Sequence, residues 1–200
     1  MHKGRLEAFS DGVIAIIITI MVLEMKVPHH EHTLESLRPL LPVFLSYVLS
    51  FLYVGIYWNN HHHLLHAARR IDARVLWANL HLLFWLSLIP FVTGWMGEND
   101  FAHTPTALYG VVLLFTAGAY LILQRSILRL VDRDSPVARG IGRDIKGKLS
   151  PALYAIGIGV ALVNSWAAVA FYAAVALMWF IPDRRLERAV AHEESGPGSH

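Results

Sequence analysis

The chain has 200 residues, of which 55% are hydrophobic and only 16% charged, with a formal net charge of +2 and a positive mean hydropathy. Soluble domains carry about a quarter charged residues, so these figures exclude an ordinary water-soluble fold. There is no cysteine, which excludes a disulfide framework and a thiolate metal site.

Six apolar blocks follow one another along the chain. The expected helices are Ser10–Val27, Leu40–His66, Asp72–Trp95, Thr104–Leu130, Ser150–Asn164 and Trp166–Pro182. A hydrocarbon core of roughly 30 Å needs about 20 largely apolar residues in a helix, and only helices or closed barrels satisfy their backbone inside it. Alternation of period two is absent. The expected fold is therefore an all-α integral membrane protein with six transmembrane helices over residues 1–183. Residues 184–200 are expected to form a polar, disordered cytoplasmic tail.

The first block is interrupted by Glu24 and Lys26 and no small-residue cleavage pattern follows, so it reads as a retained helix. Ser10 or Asp11 is expected to cap its N-terminus. Alternatively, Asp11 pairs inside the bundle with Arg5 or a histidine, because a charge at a membrane helix needs a partner. Pro90 is expected to kink the third helix. Gly110, Gly118, Gly157 and Gly159 are expected to allow close helix packing. Trp77, Trp85, Trp95, Trp166 and Trp179 read as interfacial anchors. The fifth and sixth blocks abut at Asn164–Ser165. One helix of about 33 residues would be about 50 Å long, too long for one span, so a tight hairpin is expected.

The basic residues give the orientation. Of 17 Lys and Arg, 15 fall at the N-terminus (Lys3, Arg5), in the second loop (Arg69, Arg70, Arg74), around the fourth (Arg125 to Lys148) and at the C-terminus (Arg184, Arg185, Arg188). Only Lys26 and Arg38 lie on the other side. The positive-inside rule then places both termini in the cytoplasm and requires an even number of spans. These charges serve topology and anionic lipid, and nucleic acid is not an expected partner. No internal repeat is visible: Phe9-Ser10-Asp11-Gly12 occurs once. A symmetric pore therefore requires homo-oligomerisation.

Twelve histidines raise the question of metal. His61, His62 and His63 are consecutive and point in three directions on a helix. His62 and His66 are four apart, with no acidic residue beside them. His29, His30, Glu31 and His32 read as a solvated turn with at most weak metal affinity. No metal site and no cofactor is expected.

Ile16, Ile20 and Leu23 share one face of the first helix, with Thr19 at its edge. Spacing leaves this stripe open between core, lipid-facing and pore-facing roles. Around a symmetry axis it would stack apolar collars and a hydroxyl layer. Arg5-x-x-x-Phe9-Ser10-Asp11, followed by Ile16 and Thr19, resembles the transmembrane protein 175 family of potassium channels. Trp58-x-x-His61, Asp72, Asn79-Leu80 and Pro90 continue that resemblance over residues 5–95, while the second half matches in hydropathy and length.

The resemblance implies a potassium-favouring cation channel with potassium as the permeant ion. It implies a bacterial-type homotetramer in the plasma membrane, its pore lined by the first helix. Ile16 is then the main constriction, Ile20 and Leu23 are further collars, and Thr19 is the selectivity layer. A structural polar network of Arg5, Ser10, Asp11, Trp58, His61 and Asn79 would hold that helix in place. The alternative is a secondary cation or metal transporter, which needs internal repeats and broken helices at mid-membrane. A membrane enzyme would need a converging set of His, Asp and Glu, and none is visible.

Overall fold

The structure, a computed structural model, describes residues 3–28, 33–68, 70–131 and 145–180. The histidine loop 29–32, Arg69, the basic run from Arg133 to Arg143 and the tail 184–200 lie outside the described residues.

Helix α1 (Lys3–Ile20) runs into a 3-10 turn, Met21–Glu24. A second 3-10 stretch, Leu34–Leu40, leads into α2 (Leu41–Ala67). Then come α3 (Ala73–Ser87), α4 (Ile89–Glu98), α5 (His103–Leu128), α6 (Ile145–Ala161) and α7 (Ser165–Phe180). Four stretches are long and apolar enough to cross a membrane: Lys3–Glu24, Leu34–Ala67, Ala73–Glu98 and His103–Leu128. Leu149–Ala161 and Ser165–Phe180 are shorter apolar helices. The six expected helices are present by count, in the expected order.

Local chemistry accounts for the boundaries. Asp72 caps α3, its Oδ1 accepting the Val75 N–H at 2.9 Å. The third expected helix breaks at Leu88, with Pro90 in the first turn of α4. Proline has no N–H to give to the preceding turn, so the axis can change there. Asn164 ends one arm of the α6–α7 hairpin and caps the other, its Oδ1 accepting the Ala167 N–H at 3.1 Å. One expectation is corrected: α1 begins at Lys3, so Ser10 and Asp11 are mid-helix residues and cap nothing. Arg5, Leu6, Glu7 and Ala8 are good helix formers, and the helix extends back through two more turns.

The core is built around tyrosines. Tyr53, Tyr109, Tyr154 and Tyr172 are among the largest fully buried side chains. The Tyr172 ring lies between α5 and α6, where Gly110 and Gly157 make room for it. A Cβ at Gly110 would stand 2.6 Å from Tyr172 Cζ, and one at Gly157 would stand 2.6 Å from Cε1. Gly118 and Gly159, expected to do the same, meet nothing within 4 Å. A line of hydroxyls ties α5, α2 and α4. Tyr109 meets Ser50 at 3.0 Å, Ser50 meets Thr93 at 2.6 Å, and Thr93 donates to the Ile89 carbonyl at 2.6 Å. Since Thr93 spends its proton on Ile89, Ser50 donates to Thr93 and Tyr109 donates to Ser50.

Gly110→Ala is expected to overpack this site at a cost of about 1–3 kcal/mol. It should appear as a lowered thermal midpoint in detergent, while Gly159→Ala, with open space beside it, leaves the midpoint in place.

Candidate functional site

Helix α1 has two unlike faces. Leu6, Ser10, Ile14, Ile17 and Met21 are buried, against α2, α3 and α4. The opposite face carries Phe9 at 50% exposure, Ile16 at 63%, Ile20 at 44% and Leu23 at 74%. Thr19 is also exposed. All four residues expected to line a pore thus lie on the face that the chain does not cover. In the most apolar 18 residues of this first span, 28% are buried, against 61% in the fourth.

The Thr19 hydroxyl donates back to its own helix, 3.0 Å from the Ala15 carbonyl and 3.1 Å from that of Ile16. This back-bonding satisfies the proton without water. It leaves the oxygen lone pairs turned outward, able to receive a cation but with no proton to offer an anion.

The buried face is anchored by side-chain amide chemistry. The Ser10 hydroxyl donates to the Leu6 carbonyl at 2.9 Å. Its lone pair accepts from Asn79 Nδ2 on α3 at 2.9 Å. Asn79 must therefore present Oδ1 to His61 on α2, 2.6 Å from Nε2. His61 then carries a proton on Nε2 and donates it to Asn79. The other ring nitrogen, Nδ1, is buried with no hydrogen-bond partner among the described residues. A separate bond joins Trp58 Nε1 of α2 to Asp11 Oδ1 at 3.0 Å.

Of the six residues expected to form a polar network, five are brought together, as a chain of three (His61, Asn79, Ser10) and a pair (Trp58, Asp11). Arg5 is exposed and takes no part in these bonds among the described residues. The partner of Asp11 is thus an indole N–H, where a basic side chain was expected.

The other histidines of α2 diverge: His61 is buried while His62 and His66 are exposed, their rings stacked at 6.3 Å. Sequence reasoning missed two ties at the ends of α1. Lys3 Nζ donates to the His66 carbonyl at 2.8 Å, a cation at the C-terminus of α2. Lys26 Nζ donates to Glu98 Oε1 at 2.7 Å. The hydrogen bond and charge of Glu98 hold the Lys26 ammonium protonated to higher pH than usual. Neither pairing leaves a signal in the sequence, because the partners are 63 and 72 residues apart.

Residues 5–90 match the family described as endosomal/lysosomal potassium channel TMEM175. A protein of Chryseobacterium sp. (strain P1-3) named as a potassium channel is 51% identical over 95% of this chain and 98% of its own length. The chain belongs to the TMEM175 family. A Streptomyces collinus member, also named a potassium channel, is 32% identical over 89% of this chain and 91% of its own. The crystal structure of a TMEM175 homologue from Chamaesiphon minutus, titled a lysosomal potassium-selective channel, superposes with a TM-score of 0.77. It shares 28% identity over 90% of this chain and 96% of that one. The TMEM175 match thus extends through α5, α6 and α7, where the sequence motifs are silent.

Asn79→Leu leaves the buried His61 Nε2–H without an acceptor, while Ser10 keeps its bond to Leu6 and loses only the donor to its lone pair, at an expected cost of about 1–3 kcal/mol. Thermal unfolding in detergent should show this loss. Arg5→Gln, at an exposed site outside the chain of bonds, should stay within about 0.5 kcal/mol of the parent.

Proposed function

We propose that the protein is a passive, potassium-favouring cation channel, assembled from four copies of the chain with α1 of each copy facing the central axis. The observation that carries this reading is the uncovered face of α1, on which Ile16, Thr19, Ile20 and Leu23 stand exposed while the opposite face is packed and hydrogen-bonded. The potassium-channel names of full-length relatives support it, as does the superposition on a channel of the same family.

The mechanism follows from the side chains. From Ile16 to Leu23 is about 10 Å along a helix at 1.5 Å per residue. Rings of isoleucine and leucine over that length exclude water when narrow, so they gate by dewetting. The Thr19 oxygens lie between the Ile16 and Leu23 levels. Their outward lone pairs replace part of the hydration of a cation passing the collars. Potassium holds its water less tightly than sodium and gives it up at lower cost, so the constriction favours potassium. A side-chain layer discriminates less sharply than a cage of fixed carbonyls. Both termini are cytoplasmic in a plasma membrane, as the basic-residue asymmetry indicates. The chain needs no cofactor and performs no catalysis in this reading.

Ile16→Ser is expected to raise potassium flux into vesicles several-fold, since a polar ring does not dewet. Unchanged flux would remove Ile16 as the constriction, and saturable, ion-coupled flux would favour a secondary transporter. Thr19→Val is expected to bring the potassium-to-sodium flux ratio toward one, measured with the two cation gradients in parallel. An unaltered ratio would remove Thr19 from selectivity.

A further inference from the structure

Helix α1 is held by different means along its length. Midway along it, the amide of Asn79 joins Ser10 to His61, tying the helix to α2 and α3. At its far end the helix tightens into the Met21–Glu24 turn, where Met21 is 1% exposed and Leu23 is 74% exposed. The Glu24 carboxylate lies against the backbone of α4. A Cβ at Gly94 would stand 3.1 Å from Glu24 Oε2 and 3.2 Å from Cδ, a tight approach that would push the carboxylate back by a few tenths of an ångström. One turn along α4, Glu98 takes the 2.7 Å hydrogen bond from Lys26.

Helix α4 is itself firmly seated. Gly97 presses on α2, where a Cβ would stand 2.8 Å from Val43 Cα. Thr93 accepts the Ser50 hydroxyl at 2.6 Å, and Ile89, Val92 and Met96 are buried. The interruption at Leu88, with Pro90 in the first turn of α4, separates α4 from α3. A ten-residue helix thus presents one glycine to α2, and a second glycine and a carboxylate to the end of α1.

We propose that α4 is the positioning element for the outermost apolar collar: Gly94 and the Lys26–Glu98 pair hold the Met21–Glu24 turn and so set how closely Leu23 approaches its copies across the axis. The proposal rests on the reading that α1 lines the pore. Glu24, Lys26, Gly94 and Glu98 act through Leu23 and touch no permeant ion themselves. Exposed ion pairs of this kind shift an equilibrium by roughly 1.4- to 5-fold, so loss of the pair should release the collar and raise flux by about that factor per subunit.

The test is potassium flux into vesicles for Lys26→Ala, Glu98→Ala, the double variant, the exchange Lys26→Glu with Glu98→Lys, and Gly94→Ala. Thermal midpoint and oligomer mass in detergent are followed alongside. A tether predicts that both single variants raise flux, that the double raises it no further than either, and that the exchange returns it to the parent value. Gly94→Ala, which alters no charge, raises it too, while midpoint and mass stay put. A charge acting through space on entering cations would instead raise flux on loss of Lys26 and lower it on loss of Glu98. That opposite pair of signs, or an exchange that fails to restore flux, overturns the proposal. So does unchanged flux in all of these variants while Ile16→Ser still conducts more. If Ile16→Ser is itself silent, the pore reading fails, and the link from α4 to conduction goes with it.

Discussion

The side-chain amide of Asn79 is the interaction on which the placement of α1 depends. A bilayer offers no water to an unpaired polar group, so the cost of breaking Ser10–Asn79–His61 cannot be recovered elsewhere. The three residues come from three helices, and each bond constrains the next. Once the Ser10 proton goes to Leu6, the orientation of the Asn79 amide follows, and with it the proton on His61 Nε2. Such a chain permits one rotation of α1 about its axis. That rotation buries Ile14 and Ile17 and leaves Ile16, Thr19, Ile20 and Leu23 outside. The exposed face of α1 is thus a consequence of polar pairing on the opposite face.

The rest of the bundle supplies rigidity behind that helix. Tyrosine hydroxyls find carbonyl or hydroxyl partners at buried depth, as Tyr53 does on the Tyr172 carbonyl at 2.6 Å, and the rings fill space that two glycines vacate. In lipid, helix association gains little from apolar burial and relies on close packing and hydrogen bonds. Gly110, Gly157 and Gly97 provide the close packing, and the Tyr109–Ser50–Thr93 line provides the bonds. Gly118 and Gly159 show the limit of reading glycine by type alone, since both face open space. A small residue permits close approach, but a neighbouring helix must arrive there for the permission to matter.

Functional reading divides along the same line. The Arg5–Phe9–Ser10–Asp11 spacing, with Trp58, His61 and Asn79 downstream, was enough to point to the TMEM175 family and to name five residues that the fold brings together. The details of their bonding were not legible. Asp11 looked in need of a basic partner, yet the Trp58 indole satisfies its carboxylate, because an N–H donor at 3.0 Å serves an acceptor without a second charge. Arg5 belongs to the motif but stands in the open. The start of α1 was misplaced because Ser10 and Asp11 are good caps in water, whereas here they face other helices.

Hydropathy and the turn-forming residues Asp72, Pro90 and Asn164 determined the number and order of the helices and several of their ends, the start of α1 excepted. These are local properties: they depend on transfer of each segment into lipid and on bonds within a few residues of chain. Which face of α1 is left bare, which glycines are pressed against a neighbour, and that Lys26 meets Glu98 were decided only by tertiary structure. Each depends on residues far apart in sequence arriving at one place, and a period of 3.6 gives every face of an apolar helix the same claim to the interior until a polar bond selects one.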